Sequence, residues 1–504
     1  MVVRRLMQTE DMDPVTLLFD IRPDLIDTFA VVHNEWSTEF LAWLVFNGVN
    51  EYPSLKRSNS LKRKLLEKKP EPCGLTHLEE VIYASRRDLQ DVFPLPSRKA
   101  ELLVWFSHHL LKEYDFGWLY EAKEEKKCVG PKRKGVNVFG YAYGASGIGE
   151  DFRTTYEALK ESGISVAGVN FDPGPNHPQD FNEYSEPDAY DPSLAVNIFC
   201  MTAPETARQL VSSGKDIFSG HYNVGYWPWE LEAWPAAWLK YIDLVDEIWV
   251  SSRYIYDAVA HTSKKPVMIM PLNVTIPEYT QVSRDDFGLP STAFLFVFVF
   301  DLGSSSYRKN PKSCLEAFWA AFPPSLYSPG EVGLVIKVHA PKVFDQIWQD
   351  VKSAASSDKR IFIIEETFTK KRLCQLYRSC DCFLSFHRAE GYGRNVAEAL
   401  QLGLHVIATG HSGNMEFCNS ENTIFPRHTF EPVKEGEYAY ALGRWAEVDV
   451  LDAAQKMKDL FFEGVKKDTS VGELPFSLSQ CKERYKRRLE FIFNNLAVGV
   501  DHEQ

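Results

Sequence analysis

Residues 390–400 read Glu-Gly-Tyr-Gly-Arg-Asn-Val-Ala-Glu-Ala-Leu and follow a short apolar run at 382–386. A brief apolar run bounded by turn residues predicts a buried strand, and the two glycines indicate a tight turn before the next helix. Glu390 falls in the loop, and Glu398 lies about one turn into the helix, where side chains tilt back toward the helix start. Two carboxylates at one loop predict a clamp for the hydroxyls of a sugar or a ribose, and we expect Gly391 and Gly393 to leave room for a sugar. The alternative, acids favoured by the helix dipole, explains Glu390 but not the whole string.

The same alternation of short apolar runs and amphipathic helices extends in both directions from this stretch. It begins near residue 135, breaks at the prolines of 271–290 and restarts at 294. Strands that alternate with helices predict parallel sheets covered by helices. We therefore predict an α/β fold of two Rossmann-like domains facing a cleft, with ligands at the carboxyl ends of the strands. The predicted strands are 136–141, 164–169, 195–200, 247–250, 267–270, 294–300, 334–338, 361–364, 382–386 and 405–408.

Changes in this pattern give the predicted domain bounds. We expect an additional N-terminal α-helical region at 1–130, a first Rossmann-like domain at 135–275 that a C-terminal helix at 476–498 rejoins, and a second at 285–475. The charged stretch 123–134 contains Gly130-Pro131 and is typical of a linker. The helical region also shows a weak duplication, for which chance is the alternative. One copy holds Asp24-Leu25, Phe29, Trp43 and Glu51-Tyr52, and the other holds Asp88-Leu89, Phe93, Trp105 and Glu113-Tyr114.

A glycine-rich loop follows the first predicted strand of the first domain. Gly144, Gly147 and Gly149 precede or open a predicted helix, whose free amides suit an anion. Their spacing differs from the dinucleotide fingerprint Gly-x-Gly-x-x-Gly, so a plain tight turn is the alternative.

A basic turn follows the first predicted strand of the second domain. Residues 307–311 read Tyr-Arg-Lys-Asn-Pro, in which Asn310 and Pro311 are typical of a helix start. Arg308 and Lys309 beside that helix start suit a diphosphate, and Lys337 ends a neighbouring strand on the same side. Solvent-exposed basic residues at a turn are the alternative.

Composition and charge narrow the classes of function. The chain has 504 residues, 44% of them hydrophobic and 25% charged, which excludes wholesale disorder. A formal net charge of −13 argues against nucleic acid as a partner. Neither the first twenty residues nor any later run has the apolar stretch of a signal peptide or a transmembrane helix, and nine scattered cysteines indicate reduced thiols. We therefore expect a cytoplasmic protein.

A basic segment lies between the two copies of the helical unit. It contains interleaved leucines, and such a face binds anionic lipid in some proteins and is simply solvated in others. Peripheral contact with the inner face of a membrane is therefore one of two interpretations. The basic residues are Lys56, Arg57, Lys62, Arg63, Lys64, Lys68 and Lys69.

Over residues 135–495 the chain resembles a glycosyltransferase of the GT-B fold, family 4. The resemblance rests on 390–398 and on 408–416, Ala-Thr-Gly-His-Ser-Gly-Asn-Met-Glu, which follows the next predicted strand. Residues 225–230, Gly-Tyr-Trp-Pro-Trp-Glu, and the turn at 308–311 resemble bacterial polysaccharide and O-antigen mannosyltransferases, as does the helical region. The chain departs from the family pattern at Asp301-Leu302, where the family usually has an arginine. Either Arg308 takes the place of that arginine, or the diphosphate is held differently.

The resemblance implies that the first Rossmann-like domain binds the acceptor and the second binds the nucleotide-sugar donor, and it implies a role for each motif. Glu390 would hold hydroxyls of the donor sugar, Glu398 the nucleotide ribose, and Lys309 with Arg308 the diphosphate. The glycine-rich loop 144–149 would lie near the phosphates and the acceptor. His221 would face the reacting sugar, with a structural role in its turn as the alternative. The remaining donor-binding residues would be Lys337, Gly391, Tyr392, Gly393, Arg394 and Asn395.

The implied reaction is the transfer of a hexose with retention of configuration, in polysaccharide biosynthesis. The implied donor is a nucleotide-diphosphate sugar, GDP-mannose, and the acceptor a glycan or lipid-linked glycan. The resemblance implies no cofactor and no metal, because cations and helix ends would stabilise the departing diphosphate. The alternatives are a UDP- or ADP-sugar donor, a non-catalytic GT-B module that binds glycan or scaffolds a partner, and a phosphorylase or epimerase of the same architecture.

Overall fold

The computed structural model describes residues 13–29, 36–70, 74–120, 132–173, 179, 188–339, 343–440, 442–463 and 476–498. Its first part is helical, as expected from the sequence, and α3 continues into a π-helical turn, Leu44–Gly48. Most of the linker predicted at 123–134 lies outside the described residues. The helices are α1 (Pro14–Ile21), α2 (Pro23–Phe29), α3 (Thr38–Trp43), α4 (Asn59–Leu66), α5 (His77–Ser85), α6 (Arg87–Val92) and α7 (Lys99–Glu113).

Two arginine-centred clusters repeat within this helical region. Arg22 makes a bidentate ion pair with Asp24 at 2.9 Å and also reaches Glu51 at 2.8 Å. Arg86 makes the same contacts with Asp88 and with Glu113, the latter at 2.7 Å. In each cluster the guanidinium also contacts a tyrosine hydroxyl and lies over a tryptophan ring, Tyr52 and Trp43 in one, Tyr114 and Trp105 in the other. The residues that suggested a duplication therefore form one contact pattern twice.

The first αβ domain is a six-stranded, wholly parallel sheet in the order β2-β1-β3-β4-β5-β6. The sequence analysis missed β4, because the segment is only five residues long and contains Asn223 and Gly225, two residue types that are depleted in strands. The helix α1 of the N-terminal region packs against α9. The elements are β1 (Arg133–Gly140), α8 (Gly147–Glu161), β2 (Val166–Asn170), β3 (Leu194–Cys200), α9 (Ala203–Ser213), β4 (Tyr222–Tyr226), β5 (Glu247–Val250), α10 (Arg253–Ala260) and β6 (Val267–Ile269).

The second αβ domain is a five-stranded parallel sheet in the order β11-β10-β7-β8-β9. Its central strand β7 alternates strictly, so that Phe296, Phe298 and Phe300 enter one core while Val297 and Val299 enter the core on the other face. The elements are β7 (Phe294–Asp301), α11 (Ser306–Lys309), α12 (Pro311–Ala321), β8 (Val332–His339), α13 (Gln346–Ala355), β9 (Ile361–Glu365), α14 (Lys370–Arg378), β10 (Cys382–Ser385), α15 (Arg394–Gln401), β11 (His405–Ala408) and α16 (Val450–Glu463). Two parallel sheets with covering helices confirm the predicted α/β fold class.

An antiparallel hairpin, which the sequence analysis did not predict, lies between β11 and α16. Its strands are β12 (His428–Pro432) and β13 (Arg444–Val448). Arg388, which follows β10, holds one side of the hairpin through Glu447. At the other end, Glu232 of the first domain accepts a hydrogen bond from the backbone N–H of Arg444 at 2.8 Å. The hairpin therefore connects the two domains.

The last helix, α17 (Leu478–Val498), returns to the first domain and packs against α8. The Tyr485 hydroxyl lies 3.2 Å from that of Tyr226, and Arg488 Nε lies 2.8 Å from the buried carboxylate of Glu247. The chain thus crosses between the domains twice, once through 270–283 and once before α17.

The basic segment 56–69 is partly neutralised by ion pairs. Leu61 and Leu65 face the core of the helical region rather than solvent. Four of its cations lie within 4 Å of a carboxylate, in the pairs Lys56–Asp115, Arg57–Asp216, Lys64–Glu67 and Lys69–Glu80. Within the described ranges, no helix combines the length and apolar character needed to cross a bilayer.

Candidate active site

Arg308, Lys309 and Glu390 meet where β7 and β10 end. Asn310, in the left-handed region at φ +56°, caps α12 ahead of Pro311, which confirms the helix start predicted there. The turn before it, α11, places the Lys309 ammonium on Glu390 Oε1 and Arg308 Nη1 3.1 Å from Glu390 Oε2. The backbone that carries this carboxylate is also fixed, because the N–H of Glu390 donates to Ser412 Oγ at 2.8 Å.

The ionisation of Glu390 follows from these two cations. Burial alone would raise the pKa of this carboxyl, but Lys309 and Arg308 lower it to about 2, so Glu390 is an anion at physiological pH. The Arg308 side chain is only 1% exposed, and its Nε is buried without a hydrogen-bond partner among the described residues. Lys309, at 16%, is the more accessible of the two cations. The three residues proposed from separate motifs thus form one cluster.

Two residues that the sequence analysis did not select complete this cluster. Glu230 follows β4 in the first domain, and its Oε1 lies 2.7 Å from Arg308 Nη2. The hydroxyl of Tyr438, from the segment between β12 and β13, donates to Glu230 Oε2. Glu230 was present in the quoted motif 225–230, and recognising β4 would have placed it at the carboxyl end of a strand. Tyr438 carries no comparable sequence signal.

A second cluster surrounds Glu398 in α15. Glu398 is 1% exposed, its Oε1 accepts a hydrogen bond from the Lys370 ammonium, and its Oε2 is buried without a partner among the described residues. Lys370 opens α14, directly after the N-cap Thr369, which is how it reaches the carboxyl edge of the sheet. Burial lowers the pKa of Lys370, but the carboxylates of Glu398 and Glu150 outweigh that effect and raise it above the ordinary value.

Ion pairs between the domains flank this second cluster. Glu150 in α8 lies 3.6 Å from Lys370, and the neighbouring Asp151 accepts a hydrogen bond from Arg394 Nη2. Burial would raise the pKa of Glu150, yet Lys370, Arg394 and Arg153 lower it to about 2. Arg394 Nη1 also donates to the backbone carbonyl of Asn273 between the domains, at 2.8 Å. Arg394, predicted to bind the donor, therefore has both terminal nitrogens engaged in joining the domains.

The glycine-rich loop lies in the cleft, but its glycines serve packing within the loop. A Cβ on Gly149 would approach the Gly144 carbonyl oxygen to 2.1 Å, and one on Gly144 would approach the Cβ of Tyr141 to 2.8 Å. Contacts within the loop therefore already require these two glycines, and their role beside a ligand stays a prediction. Gly147 is different, since it is exposed at the start of α8 and a Cβ there would meet nothing within 4 Å.

Packing and backbone conformation also require the glycines at 391 and 393, apart from any space that they leave for a sugar. A Cβ on Gly391 would come within 2.3 Å of the Trp229 carbonyl oxygen of the first domain, and Ser252 Oγ donates to the Gly391 carbonyl at 2.6 Å. Gly393 has φ +91° and precedes α15, a conformation that favours glycine. The expected sugar space at Gly391 is filled by backbone of the other domain.

The side chains of Tyr392 and Asn395 are engaged by backbone carbonyls of the protein. Tyr392 is 5% exposed and its hydroxyl donates to the Leu272 carbonyl at 3.3 Å, so a donor-binding role for this side chain is not compatible with its position. Asn395 Nδ2 donates to the Val299 carbonyl at 3.4 Å and ties α15 to β7. Any contact of these residues with a donor would involve their backbone amides.

Lys337 is an isolated cation in β8. Its side chain is 2% exposed, and its ammonium lies 5.3 Å from the ring centroid of Phe368, after β9. Burial lowers the pKa of Lys337 to about 8, and the carboxylates of Asp301 and Glu366 offset this only in part. A buried ammonium at the carboxyl edge of the sheet is suited to a ligand that brings negative charge.

The structure places His221 at the wrong end of the sheet for the predicted role. It precedes β4, and its Nε2 lies 3.0 Å from Lys132 Nζ and 3.2 Å from the Tyr190 hydroxyl. Lys132 precedes β1 and Tyr190 precedes β3, so the cluster lies at the amino ends of the strands, opposite the cleft. Burial, followed by the charge of Lys132, lowers the pKa of His221 to about 4. The alternative structural reading of His221 fits this position.

Solved structures provide the comparison for this architecture. No protein-family model matches the chain, and no curated protein sequence matches it. A glycosyltransferase of Rickettsia africae ESF-5 is similar with a TM-score of 0.50 and 12% identity, over 72% of this chain and 100% of that one. The chain has the GT-B fold.

Two further solved structures share this likeness at lower scores. The sucrose-phosphate synthase of Thermosynechococcus elongatus has a TM-score of 0.49 and 12% identity, over 74% of this chain and 100% of that one. The pneumococcal O-GlcNAc transferase GtfA, solved with UDP and GlcNAc, has a TM-score of 0.41 and 14% identity, over 59% of this chain. The chain spans 57% of the length of GtfA.

Within the GT-B fold, the charged groups of the cleft share one topological origin. Glu150, Glu230, Arg308, Lys370 and Glu390 follow β1, β4, β7, β9 and β10 in turn. All therefore lie at the carboxyl edges of the two sheets, where ligands bind in doubly wound folds. The cluster around Arg308 and that around Glu398 offer cations for phosphate oxygens and carboxylates for hydroxyls.

Proposed function

We propose that the chain is a glycosyltransferase that moves a hexose from a nucleotide-diphosphate sugar to a hydroxyl of a glycan acceptor. The observation that carries the proposal is the contact of Lys309 and Arg308 with Glu390 between the domains. This contact brings together two cations that suit a diphosphate and a carboxylate that suits sugar hydroxyls. The unpartnered Oε2 of Glu398 supports it, because a buried carboxylate oxygen is costly unless a donor group reaches it.

Each cluster has a part in the proposed reaction. Lys309 and Arg308 stabilise the negative charge that builds up on the departing diphosphate, which is electrostatic stabilisation of the transition state. Glu390 accepts hydrogen bonds from the donor sugar. Glu398, held by Lys370, accepts them from the ribose of the nucleotide. Because Lys309 contacts Glu390 directly, donor binding would exchange that ion pair for contacts with phosphate and sugar.

The finer identity of the reaction is part of the proposal. We propose retention of configuration and a role in polysaccharide biosynthesis, with GDP-mannose and UDP-sugars as the two donor classes to compare. The resemblance of 225–230 and 308–311 to mannosyltransferases supports the first donor. A UDP-sugar is the alternative donor for the same reaction. We also propose that no divalent metal takes part, because Lys309 and Arg308 already supply positive charge where the diphosphate would leave.

The first experiment tests donor binding and turnover. The purified chain is mixed with GDP-mannose, UDP-glucose, UDP-GlcNAc and ADP-glucose, and thermal stabilisation, donor hydrolysis and transfer to p-nitrophenyl hexosides are measured. We expect one donor class to raise the melting temperature and to be consumed. The configuration of the transferred sugar, read by NMR of the product, distinguishes retention from inversion.

Matched variants then test the assigned site. Lys309→Ala and Glu390→Gln should each lower kcat at least a hundredfold, because each removes a group from the reacting end. Lys312→Ala is the control, since Lys312 lies one turn further along, is 71% exposed and contacts only Glu316 at 3.7 Å in the described structure. Donor binding without consumption by the unmodified chain would favour the non-catalytic module. Full activity of both site variants would show that the site lies elsewhere.

A further inference from the structure

Glu230 is a carboxylate of the first domain that is held entirely by groups of the second. Its Oε1 lies 2.7 Å from Arg308 Nη2, and its Oε2 accepts a hydrogen bond from the Tyr438 hydroxyl. Its side chain is nevertheless 31% exposed, against 12% for Glu390 and 1% for Arg308. Glu230 therefore combines a fixed orientation with access to the cleft.

The position of Glu230 mirrors that of Glu390 across a single guanidinium. Arg308 Nη1 contacts Glu390 at 3.1 Å, and Nη2 contacts Glu230 at 2.7 Å. One carboxylate comes from each domain, so a bound substrate pair would meet Glu390 on one side and Glu230 on the other. Since Glu390 is assigned to the donor sugar, the geometry leaves the first-domain side for the acceptor.

The hydrogen-bonding capacity of Glu230 is not exhausted by its partners. Each carboxylate oxygen accepts two hydrogen bonds, and Arg308 and Tyr438 supply one apiece. Among the described residues, one acceptor position therefore stays open on each oxygen. A hydroxyl that donates to such a position would be held at a fixed distance from Glu390, because the same Arg308 orients both carboxylates.

The segment that carries Tyr438 is fixed independently of Glu230. Ser305 Oγ donates to the Glu437 carbonyl at 2.9 Å, and Trp238 Nε1 donates to the Tyr440 hydroxyl at 2.8 Å. The Tyr438 ring lies 6.1 Å from that of Trp229, which precedes Glu230. Tyr438 thus acts as a positioning residue that aims the carboxylate rather than as a group that contacts substrate.

We propose that Glu230 binds the acceptor, by accepting a hydrogen bond from the hexoside hydroxyl that receives the sugar. The inference rests on the proposed function and adds the acceptor side of the same site. In the transfer step the hydroxyl oxygen forms a bond to the anomeric carbon as the bond from that carbon to the diphosphate oxygen breaks. The hydroxyl proton passes to the departing diphosphate. Glu230 orients the hydroxyl through a hydrogen bond that its carboxylate accepts and takes no part in the proton transfer.

Kinetics of Glu230→Gln test this assignment. The donor is the nucleotide sugar that the unmodified chain consumes fastest, and the acceptors are p-nitrophenyl α- and β-hexopyranosides, with water as the competing acceptor. We expect kcat/KM for the hexoside to fall at least tenfold, while nucleotide affinity and donor hydrolysis stay within about twofold. Tyr438→Phe should give a smaller loss in the same direction. Glu232→Gln, two residues along and in contact with Arg444, is the matched control.

Each remaining outcome has a definite meaning. Equal losses of hydrolysis, nucleotide affinity and transfer in Glu230→Gln would overturn the inference, because Glu230 would then act on the donor or on folding. Unchanged transfer would overturn it as well. A chain that hydrolyses a donor but glycosylates none of the hexosides would overturn the acceptor class. A chain that neither binds nor consumes any nucleotide sugar would instead overturn the proposed function itself.

Discussion

The ammonium of Lys370 donates a hydrogen bond to Oε1 of Glu398, while Oε2 of the same carboxylate is buried without a partner among the described residues. Lys370 also lies 3.6 Å from Glu150 of the other domain. The pair therefore fixes the carboxylate in one orientation and leaves Oε2 without a partner among the described residues. This open oxygen is the basis for the first prediction.

Glu398→Gln should weaken nucleotide binding with little effect on folding. We expect the Kd for the nucleoside diphosphate to rise by about 10- to 100-fold, since hydrogen bonds to a charged partner contribute about 1.5–3 kcal/mol. Lys370 keeps Glu150 as a partner, so the melting temperature should change little. Calorimetric titration with the ribose and 2′,3′-dideoxyribose forms of the nucleotide provides the control. Equal losses for both forms in the variant would place Glu398 away from the ribose.

Lys337 provides a prediction about stability and pH. Its pKa is lowered from 10.5 to about 8 mainly by burial, so the unfolded chain binds more protons than the folded chain between those values. The free energy of unfolding contributed by this group therefore rises with pH across that interval and is lowest below about pH 8. Lys337→Met should stabilise the ligand-free protein at pH 7 by up to about 3 kcal/mol, at 1.36 kcal/mol for each pKa unit.

The same substitution should weaken donor binding, because it removes a cation from the carboxyl edge of the sheet. In the unmodified chain, donor affinity should fall as the pH rises through about 8, and Lys337→Arg should abolish that fall because arginine stays charged. Denaturant unfolding and donor titration between pH 6 and 10 measure the two effects. A Lys337→Met variant that is less stable at pH 7 would contradict this account of the buried charge.

Removal of divalent metal should leave activity intact. In the proposed site, Lys309 and Arg308 supply the positive charge that a magnesium ion supplies in other sugar transferases. Dialysed protein is assayed in a 5-fold molar excess of EDTA over total metal. We expect the rate of donor consumption to stay within about twofold of the untreated rate, because side-chain cations stabilise the departing diphosphate. Restoration of lost activity by Mg²⁺ or Mn²⁺, but not by Ca²⁺, would show that a metal takes part.

The sequence was sufficient to predict the fold and the elements that carry Arg308, Lys309 and Glu390, because hydrophobic alternation and turn chemistry are local features. Asn310 and Pro311 predicted the helix start beside Lys309, and the run at 382–386 predicted the strand before Glu390. Contacts that depend on how the two domains meet could not be predicted from local sequence patterns. Glu230 and Tyr438 are 208 residues apart in the chain, and no local pattern relates them.

The errors have a common physical cause. The role of His221 was carried over from the family resemblance, although the side of the sheet on which it lies depends on β4, whose Asn223 and Gly225 obscure the strand. Gly149 and Gly391 were assigned to ligand space, but a glycine is equally needed where two backbones approach closely. Sequence alone does not distinguish a ligand from another part of the chain as the approaching group.

Gly391 gives the last prediction, on the closeness of the two domains. A Cβ at this position would lie 2.3 Å from the Trp229 carbonyl oxygen, which is backbone and has no rotamer by which to move away. Gly391→Ala should therefore push the domains apart near Glu390 and lengthen the 2.6 Å hydrogen bond from Ser252 Oγ. We expect a destabilisation of about 1–3 kcal/mol, typical of overpacking, and a larger fractional loss of transfer than of nucleotide binding.

Gly330→Ala is the control for this prediction, because Gly330 lies in an exposed turn of the same domain and its nearest neighbour to an added Cβ is Ser328 Oγ at 3.9 Å. Small-angle scattering and limited proteolysis measure the separation of the domains, and denaturant unfolding measures stability. Gly391→Ala with unchanged scattering, stability and transfer would mean that the contact between Gly391 and Trp229 is not required for the closed arrangement. A stable Gly391→Ala protein whose domains lie further apart and that still binds nucleotide would have a clear meaning. Nucleotide binding would then depend on the second domain, and transfer would depend on the contact of that domain with the first.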